Sequence, residues 1–125
     1  MNKHILVVDD SPVNRMVFKA IINDWSNTKT SFANNGAEGI EVLRNQQVDL
    51  VLMDLQMPVM NGYEATIAIR NHEAGPKNTR IPIIAVTTED QEGTKERVLE
   101  IGMNDYMNKP VDRHTLLHKI RMLLF

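Results

Sequence analysis

Three short apolar runs along the chain each stop on a polar residue. Ile5, Leu6, Val7 and Val8 run into Asp9; Leu50, Val51, Leu52 and Met53 run into Asp54; Ile83, Ile84, Ala85 and Val86 run into Thr87. Each run is short and without polar alternation, the pattern of a strand covered on both faces. Residues 29–33 and 105–107 make two weaker strand candidates. Elsewhere apolar residues recur at helical spacing: Val13, Met16, Val17, Ala20 and Ile21; Ala37, Ile40 and Leu43; Val98 and Ile101; and, last, Leu116, Leu117, Ile120, Leu123 and Leu124.

This alternation predicts five strands and five helices, hence parallel strands joined by right-handed crossovers with helices on both sheet faces. Turn chemistry agrees. Ser11-Pro12 suits a helix cap followed by proline in the first turn, Asn34-Asn35-Gly36 a strand-to-helix turn, and Asn61-Gly62 and Gly75-Pro76 two further loops. The fold class is α/β, in one domain over residues 1–125, because a chain of this length buries one continuous core and leaves none for a second.

Composition narrows the function. A net charge of -2 offers no basic footprint for nucleic acid or an anionic membrane. The chain has no cysteine, which removes disulfides, thiolate nucleophiles and sulfur-rich metal sites. Residues 1–8 lack the apolar stretch of a signal peptide and no run reaches membrane-spanning length. A soluble cytoplasmic protein is the expectation.

In an open parallel sheet, ligands bind beyond the carboxyl ends of the strands. Asp9, Asp10, Asp54 and Thr87 stand at such ends and Lys109 follows the fifth strand candidate, so these groups should converge. Singly, an aspartate there is a turn former or cap, Thr87 bonds its own backbone and Lys109 is a solvated charge. Together they read differently. Three gathered carboxylates repel one another unless a cation or a lysine compensates them. Hard oxygen ligands suit Mg2+, with Mn2+ the alternative. Beside such an ion Asp54 can be a nucleophile toward a phosphoryl group, with Lys109 neutralising the transferred oxygens and Thr87 donating a hydrogen bond. The product would be an acyl phosphate.

Four segments, ILVVDD at 5–10, VLMDLQMPVMNG at 51–62, IIAVT at 83–87 and DYMNKP at 105–110, resemble in order and spacing the receiver domains of response regulators in two-component signalling. The resemblance spans nearly the whole chain. It implies a three-layer, flavodoxin-like, doubly wound five-stranded sheet of order 2-1-3-4-5, with Asp54 as phosphoacceptor. It also implies Asp10 as a direct Mg2+ ligand, Asp9 acting mainly through water, and the Gln56 backbone carbonyl as a further protein ligand. Lys109 would contact the phosphoryl group and precede a cis proline, Pro110. Thr87 and Tyr106 are similar to the family's switch pair: the hydroxyl moves to the new phosphoryl oxygen, the ring turns into the vacated space, and the surface of the fourth helix, fifth strand and fifth helix changes to engage a target. The implied donor is a phosphohistidine on a histidine kinase or histidine phosphotransfer protein, docking on Pro12, Val13, Met16, Pro110 and Val111. Dimerisation on phosphorylation, through the fourth and fifth helices, is one outcome this resemblance admits. On this reading the chain is no enzyme in the ordinary sense and assists only its own phosphorylation and dephosphorylation.

Some residues depart from the family pattern or add to it. Thr88 stands where a small residue commonly follows the switch threonine, and Glu89-Asp90 adds negative charge near the entrance, which would slow small anionic donors. The resemblance places Gln56 and Glu89 at the two positions that, in the family, tune attack of water on the acyl phosphate. Met57, Pro58 and Met60 read as loop packing that the resemblance places over the acceptor. His114 and His118 have metal-ligand spacing but no glutamate follows the first, so they read as solvated. His4 and His72 have no partner in sequence, Glu38, Glu41 and Arg44 make a solvated helix face, and Trp25 closes the first helix. A receiver module of a hybrid sensor kinase is the alternative. A Mg2+-dependent aspartyl-phosphate phosphatase fits less well, since it needs an acid where Gln56 stands. A flavin carrier needs a phosphate loop where Asp9-Asp10-Ser11 would repel phosphate.

Overall fold

The computed structural model describes residues 2–25, 27–89 and 91–125; Met1 and Asp90, both used above, lie outside the described residues. Strands β1 (Lys3–Val8), β2 (Thr28–Ala33), β3 (Leu50–Met53), β4 (Ile83–Thr87) and β5 (Asp105–Asn108) alternate with helices α1 (Pro12–Ile22), α2 (Gly36–Asn45), α3 (Gly62–Arg70), α4 (Thr94–Glu100) and α5 (Arg113–Leu124). Every strand pair is parallel and the order is β2-β1-β3-β4-β5, as the resemblance implied. Strand order reverses between β1 and β3, which opens a crevice at their carboxyl ends.

Side chains alternate across the sheet and so divide the core in two. Leu6, Val8, Val51, Met53, Ile83 and Ala85 meet Ile40, Leu43, Ala65, Ile69 and Val98 of α2, α3 and α4. Ile5, Val7, Leu50, Leu52, Ile84 and Val86 meet Phe18, Ile22, Leu116 and Ile120 of α1 and α5. Two-sided burial is why the strand runs lack polar alternation; each such side chain contributes roughly 1.5–3 kcal/mol.

Helix starts follow their caps. The side chains of Ser11, Asn35, Asn61 and Asp112 accept from backbone N–H groups of the first turns of α1, α2, α3 and α5, and Glu64 completes a capping box with Asn61. Asn61-Gly62 is therefore the start of α3 rather than a loop. Apolar spacing did not single out α3 because its buried face is carried by Gly62, Ala65, Thr66, Ala68 and Ile69. In α1 the expected stripe is corrected: Val13, Met16 and Val17 are 69%, 72% and 42% exposed and Ala20 is exposed too, so Ile21 alone of that stripe is buried, and Phe18 and Ile22 join it in seating the helix. Phe18 and Ile22 lie one face round from Val13 and Met16, which leaves an apolar strip in solvent.

Two polar groups away from the crevice hold the amino ends of the strands. His4 is buried, with Nδ1 2.6 Å from the Gln47 carbonyl and Nε2 2.6 Å from Ser31 Oγ, so it has partners that sequence proximity hides. Arg70 donates to the carbonyls of Gly102 (2.7 and 3.0 Å), Thr79 (3.0 Å) and Ile81 (2.8 Å) and to Asn104 Oδ1 (3.1 Å). Burial lowers the pKa of this guanidinium, and among the described residues no carboxylate pairs with it. His72 meets Thr79 Oγ1 through Nδ1 at 2.8 Å, while His114 and His118 are exposed as expected. No helix of the described residues is long and apolar enough to cross a membrane.

Candidate functional site

Val8 and Met53 are register partners at the ends of β1 and β3, so the next residues, Asp9 and Asp54, emerge side by side. Their amides complete the ladder: Asp9 N–H donates to Ala33 O and Asp54 N–H to Val8 O, each at 3.0 Å. One oxygen from each of Asp9, Asp10 and Asp54 lies within 4.8 Å of the others. Asp9 and Asp54 are buried and Asp10 is exposed at the mouth.

Lys109 reaches in from the end of β5. Its Nζ stands 2.8 Å from Asp9 Oδ2 and 3.2 Å from Asp54 Oδ2, and its peptide bond to Pro110 is cis. Burial pushes the Asp54 carboxyl above its ordinary pKa; Lys109 opposes this, Asp9 adds to it, and the Gln56 N–H at 3.3 Å opposes it. For Lys109, burial works downward, but the contacts with Asp9 and Asp54 outweigh it and raise the ammonium. Three carboxylates against one ammonium leave the crevice with excess negative charge. Asp9 Oδ2 has the Lys109 ammonium as its ion-pair partner. Hard oxygen donors and buried excess charge fit a small divalent cation such as Mg2+.

The backbone around Asp54 is fixed by α3. A Cβ on Gly62 would fall 2.2 Å from the Asp54 carbonyl oxygen, so only glycine lets α3 start there. Arg15, which sequence reasoning missed, donates to the Asp9 carbonyl at 2.8 Å and to Asn34 Oδ1 at 2.5 Å, tying β1 to the loop after β2. Met57 and Met60 are half-buried and pack on the core as expected, while Val59 between them is 83% exposed at φ 67.

Thr87 is buried, and its Oγ1 accepts from Glu89 N–H at 3.0 Å. Tyr106 is half-buried and its hydroxyl donates to the Glu89 carbonyl at 2.8 Å. Asn108 Nδ2 donates to that carbonyl at 3.1 Å and to the Tyr106 hydroxyl at 2.8 Å. The Glu89 carboxylate accepts from the Tyr63 hydroxyl at 3.1 Å and pairs with Arg97 at 3.6 Å. Tyr63 and Arg97 were also missed: they come from α3 and α4, and no motif marks them. On the other rim, Pro12, Val13, Met16 and Pro110 are exposed and Val111 is half-buried. Beside them a cavity of about 90 Å³ is lined by Asn14, Val17, Phe18, Lys109, Pro110 and Val111.

Comparison with known proteins points the same way. The family described as response regulator receiver domain matches residues 5–121. The CAI-1 autoinducer sensor kinase/phosphatase CqsS of Vibrio cholerae is 43% identical over 118 residues, 94% of this chain but only 17% of that protein. Protein PilH of Pseudomonas aeruginosa is 39% identical over 120 residues, 96% of both. Among solved structures, the receiver domain of sensor histidine kinase PA1611 from Pseudomonas aeruginosa PAO1, with a magnesium ion coordinated in its active site cleft, has a TM-score of 0.86 at 34% identity, covering 99% of this chain and 98% of that one. The receiver domain of the Saccharomyces cerevisiae response regulator Ssk1, solved with the histidine phosphotransfer protein Ypd1, has a TM-score of 0.86 at 28% identity, covering 98% and 89%. A family match over nearly the full length, joined to this strand order and acidic crevice, makes the chain a member of the response regulator receiver domains of two-component signalling.

Proposed function

We propose that Asp54 accepts a phosphoryl group from a phosphohistidine on a histidine kinase or histidine phosphotransfer protein. The carrying observation is a buried Asp54 carboxylate beside Asp9 with the Lys109 ammonium 3.2 Å away. An Asp54 oxygen attacks phosphorus, the bond from phosphorus to the imidazole nitrogen breaks, and the imidazole leaves with its electron pair. Lys109 neutralises charge on the transferred oxygens, and the Thr87 hydroxyl donates to one of them. Asp9, Asp10, Asp54 and the Gln56 carbonyl would hold Mg2+ or Mn2+, which when bound supplies further charge neutralisation. Water later cleaves the acyl phosphate and resets the domain, so the chain assists only its own modification and release.

The donor docks on the exposed strip of Pro12, Val13 and Met16 with Pro110 and Val111, which lies on the rim nearest Lys109. Thr87 and Tyr106 carry the change to α4, β5 and α5, where a target protein or a second copy binds. Residues 1–125 act in this reading as one receiver module. The identity to CqsS favours a second setting, a receiver within a hybrid sensor kinase, with the same chemistry.

The test is incubation with acetyl phosphate and Mg2+, read by intact mass. The wild type should gain one phosphoryl group and Asp54→Asn should gain none. Equal modification of both removes Asp54 from the role.

A further inference from the structure

Glu89 sits on the short connection between β4 and α4, two residues beyond Thr87, yet its side chain is only 8% exposed. Every polar group it has is engaged. Its N–H meets Thr87, its carbonyl holds Tyr106 and Asn108, and its carboxylate is gripped by the Tyr63 hydroxyl at 3.1 Å and Arg97 at 3.6 Å. The Arg97 guanidinium also lies over the Tyr63 ring, 5.4 Å from its centroid, so the two gripping side chains brace each other. An anion has been drawn inward on a loop that borders a crevice already carrying three carboxylates.

Tyr63 cannot drift from this position. It follows Gly62, which is packed on the Asp54 carbonyl, so the helix turn bearing Tyr63 is registered against the acceptor's own backbone. The contact therefore ties three places together: the Asp54 peptide, the Glu89 carboxylate, and, through the Glu89 carbonyl, the Tyr106 ring.

We propose that Tyr63 is a positioning residue for phosphoryl transfer to Asp54: with Arg97 it withholds the Glu89 carboxylate from the mouth of the acceptor site and fixes the carbonyl that anchors Tyr106. The inference rests on the function proposed above. Released, Glu89 would add a further negative charge where an anionic donor must approach. Tyr63→Phe keeps the ring and its packing and removes only the hydroxyl, which separates this role from a structural one.

The experiment is a double-mutant cycle on the full chain: wild type, Tyr63→Phe, Glu89→Ala and the double variant. Initial rates of modification by acetyl phosphate with Mg2+ are followed by intact mass at low and high ionic strength. Tyr63→Phe should slow modification about threefold at low salt, on the order of the repulsion that one extra unit charge near the site exerts in a largely aqueous dielectric. The gap should narrow at high salt. In the Glu89→Ala background the Tyr63 substitution should change nothing, since there is no carboxylate to withhold. The Tyr106 ring resonances should also shift in Tyr63→Phe while the distant Trp25 indole does not. Equal rates for wild type and Tyr63→Phe, or an undiminished Tyr63 effect without Glu89, overturn the proposal. Modification of Asp54→Asn at the wild-type rate, or none of the wild type, overturns the proposed function itself and this inference with it.

Discussion

Replacing Lys109 by methionine asks whether one ammonium holds the acidic crevice together. Lys109, Asp9 and Asp54 are 11%, 2% and 8% exposed in their side chains, with contacts of 2.8 and 3.2 Å. Unit charges about 3 Å apart attract by roughly 5 kcal/mol at an effective dielectric of about 20, and the desolvation of the ions offsets much of this. Removing one partner leaves the others buried and unpaired, which typically costs about 3–5 kcal/mol. Methionine keeps the packing of the stem, and Asp54, already raised, can take up a proton, so the expected loss is about 3 kcal/mol. For a domain of this size that lowers Tm by about 10 °C. The measurement is urea unfolding in EDTA at neutral pH, repeated with Mg2+. Under the proposed function the cation would stand in for the missing positive charge, so Mg2+ should stabilise Lys109→Met more than wild type, following RT ln(1 + [Mg2+]/Kd). A loss under about 1 kcal/mol in EDTA would mean that solvent already screens the pair. An equal gain from Mg2+ in both proteins would mean that the cation and the ammonium do not share the crevice.

Three further outcomes follow from named contacts. Burial holds the folded pKa of Asp54 above its ordinary 3.8, so its stabilising contribution is present in acid and lost as pH rises through the folded value; Asp54→Asn should be more stable than wild type in EDTA at neutral pH and equal to it in acid, and a less stable variant at neutral pH would contradict the sign. Gly62→Ala puts a methyl 2.2 Å from the Asp54 carbonyl and should cost about 3 kcal/mol or more and slow modification of Asp54, so an unchanged thermal melt would show that α3 can shift freely. Val59→Gly removes a branched side chain held at φ 67 and 83% exposed, and denaturant unfolding should show a gain of about 0.5–1 kcal/mol after the entropy glycine loses; a loss would mean Val59 packs on something.

The strands were legible because burial on both faces leaves uninterrupted apolar runs, and those of β1 and β3 stop at the aspartates that enter the crevice. Asp9, Asp54 and Lys109 could thus be placed together from position alone. The helices were less legible. In α1 the more conspicuous apolar residues, Val13 and Met16, face solvent, and a spacing rule cannot tell a strip that seats a helix from one that is displayed. In α3 small residues replace large ones because the helix lies close against the Asp54 backbone, so the periodic signal is weak. His4, Arg15, Tyr63 and Arg97 were invisible as partners, since each meets residues far along the chain and what joins them is strand order and helix packing.

Arg70 gives the two ends of the molecule different mechanics. Its charge is spent on neutral carbonyls and one amide, so among the described residues it has no counter-ion for salt to screen or acid to neutralise. Gly102, which it holds, lies just past the carboxyl end of α4, while the amino end of α4 adjoins the loop of Glu89. The carboxyl end of the helix is therefore held by Arg70 through neutral carbonyls, while its amino half is tied to the Glu89 loop by the Arg97 ion pair. Amide exchange at Ile83 and Asn104, which pair beside Arg70 at 2.9 and 2.7 Å, should stay slow and indifferent to salt and Mg2+, and faster exchange there at high salt would mean that screened charge holds this end.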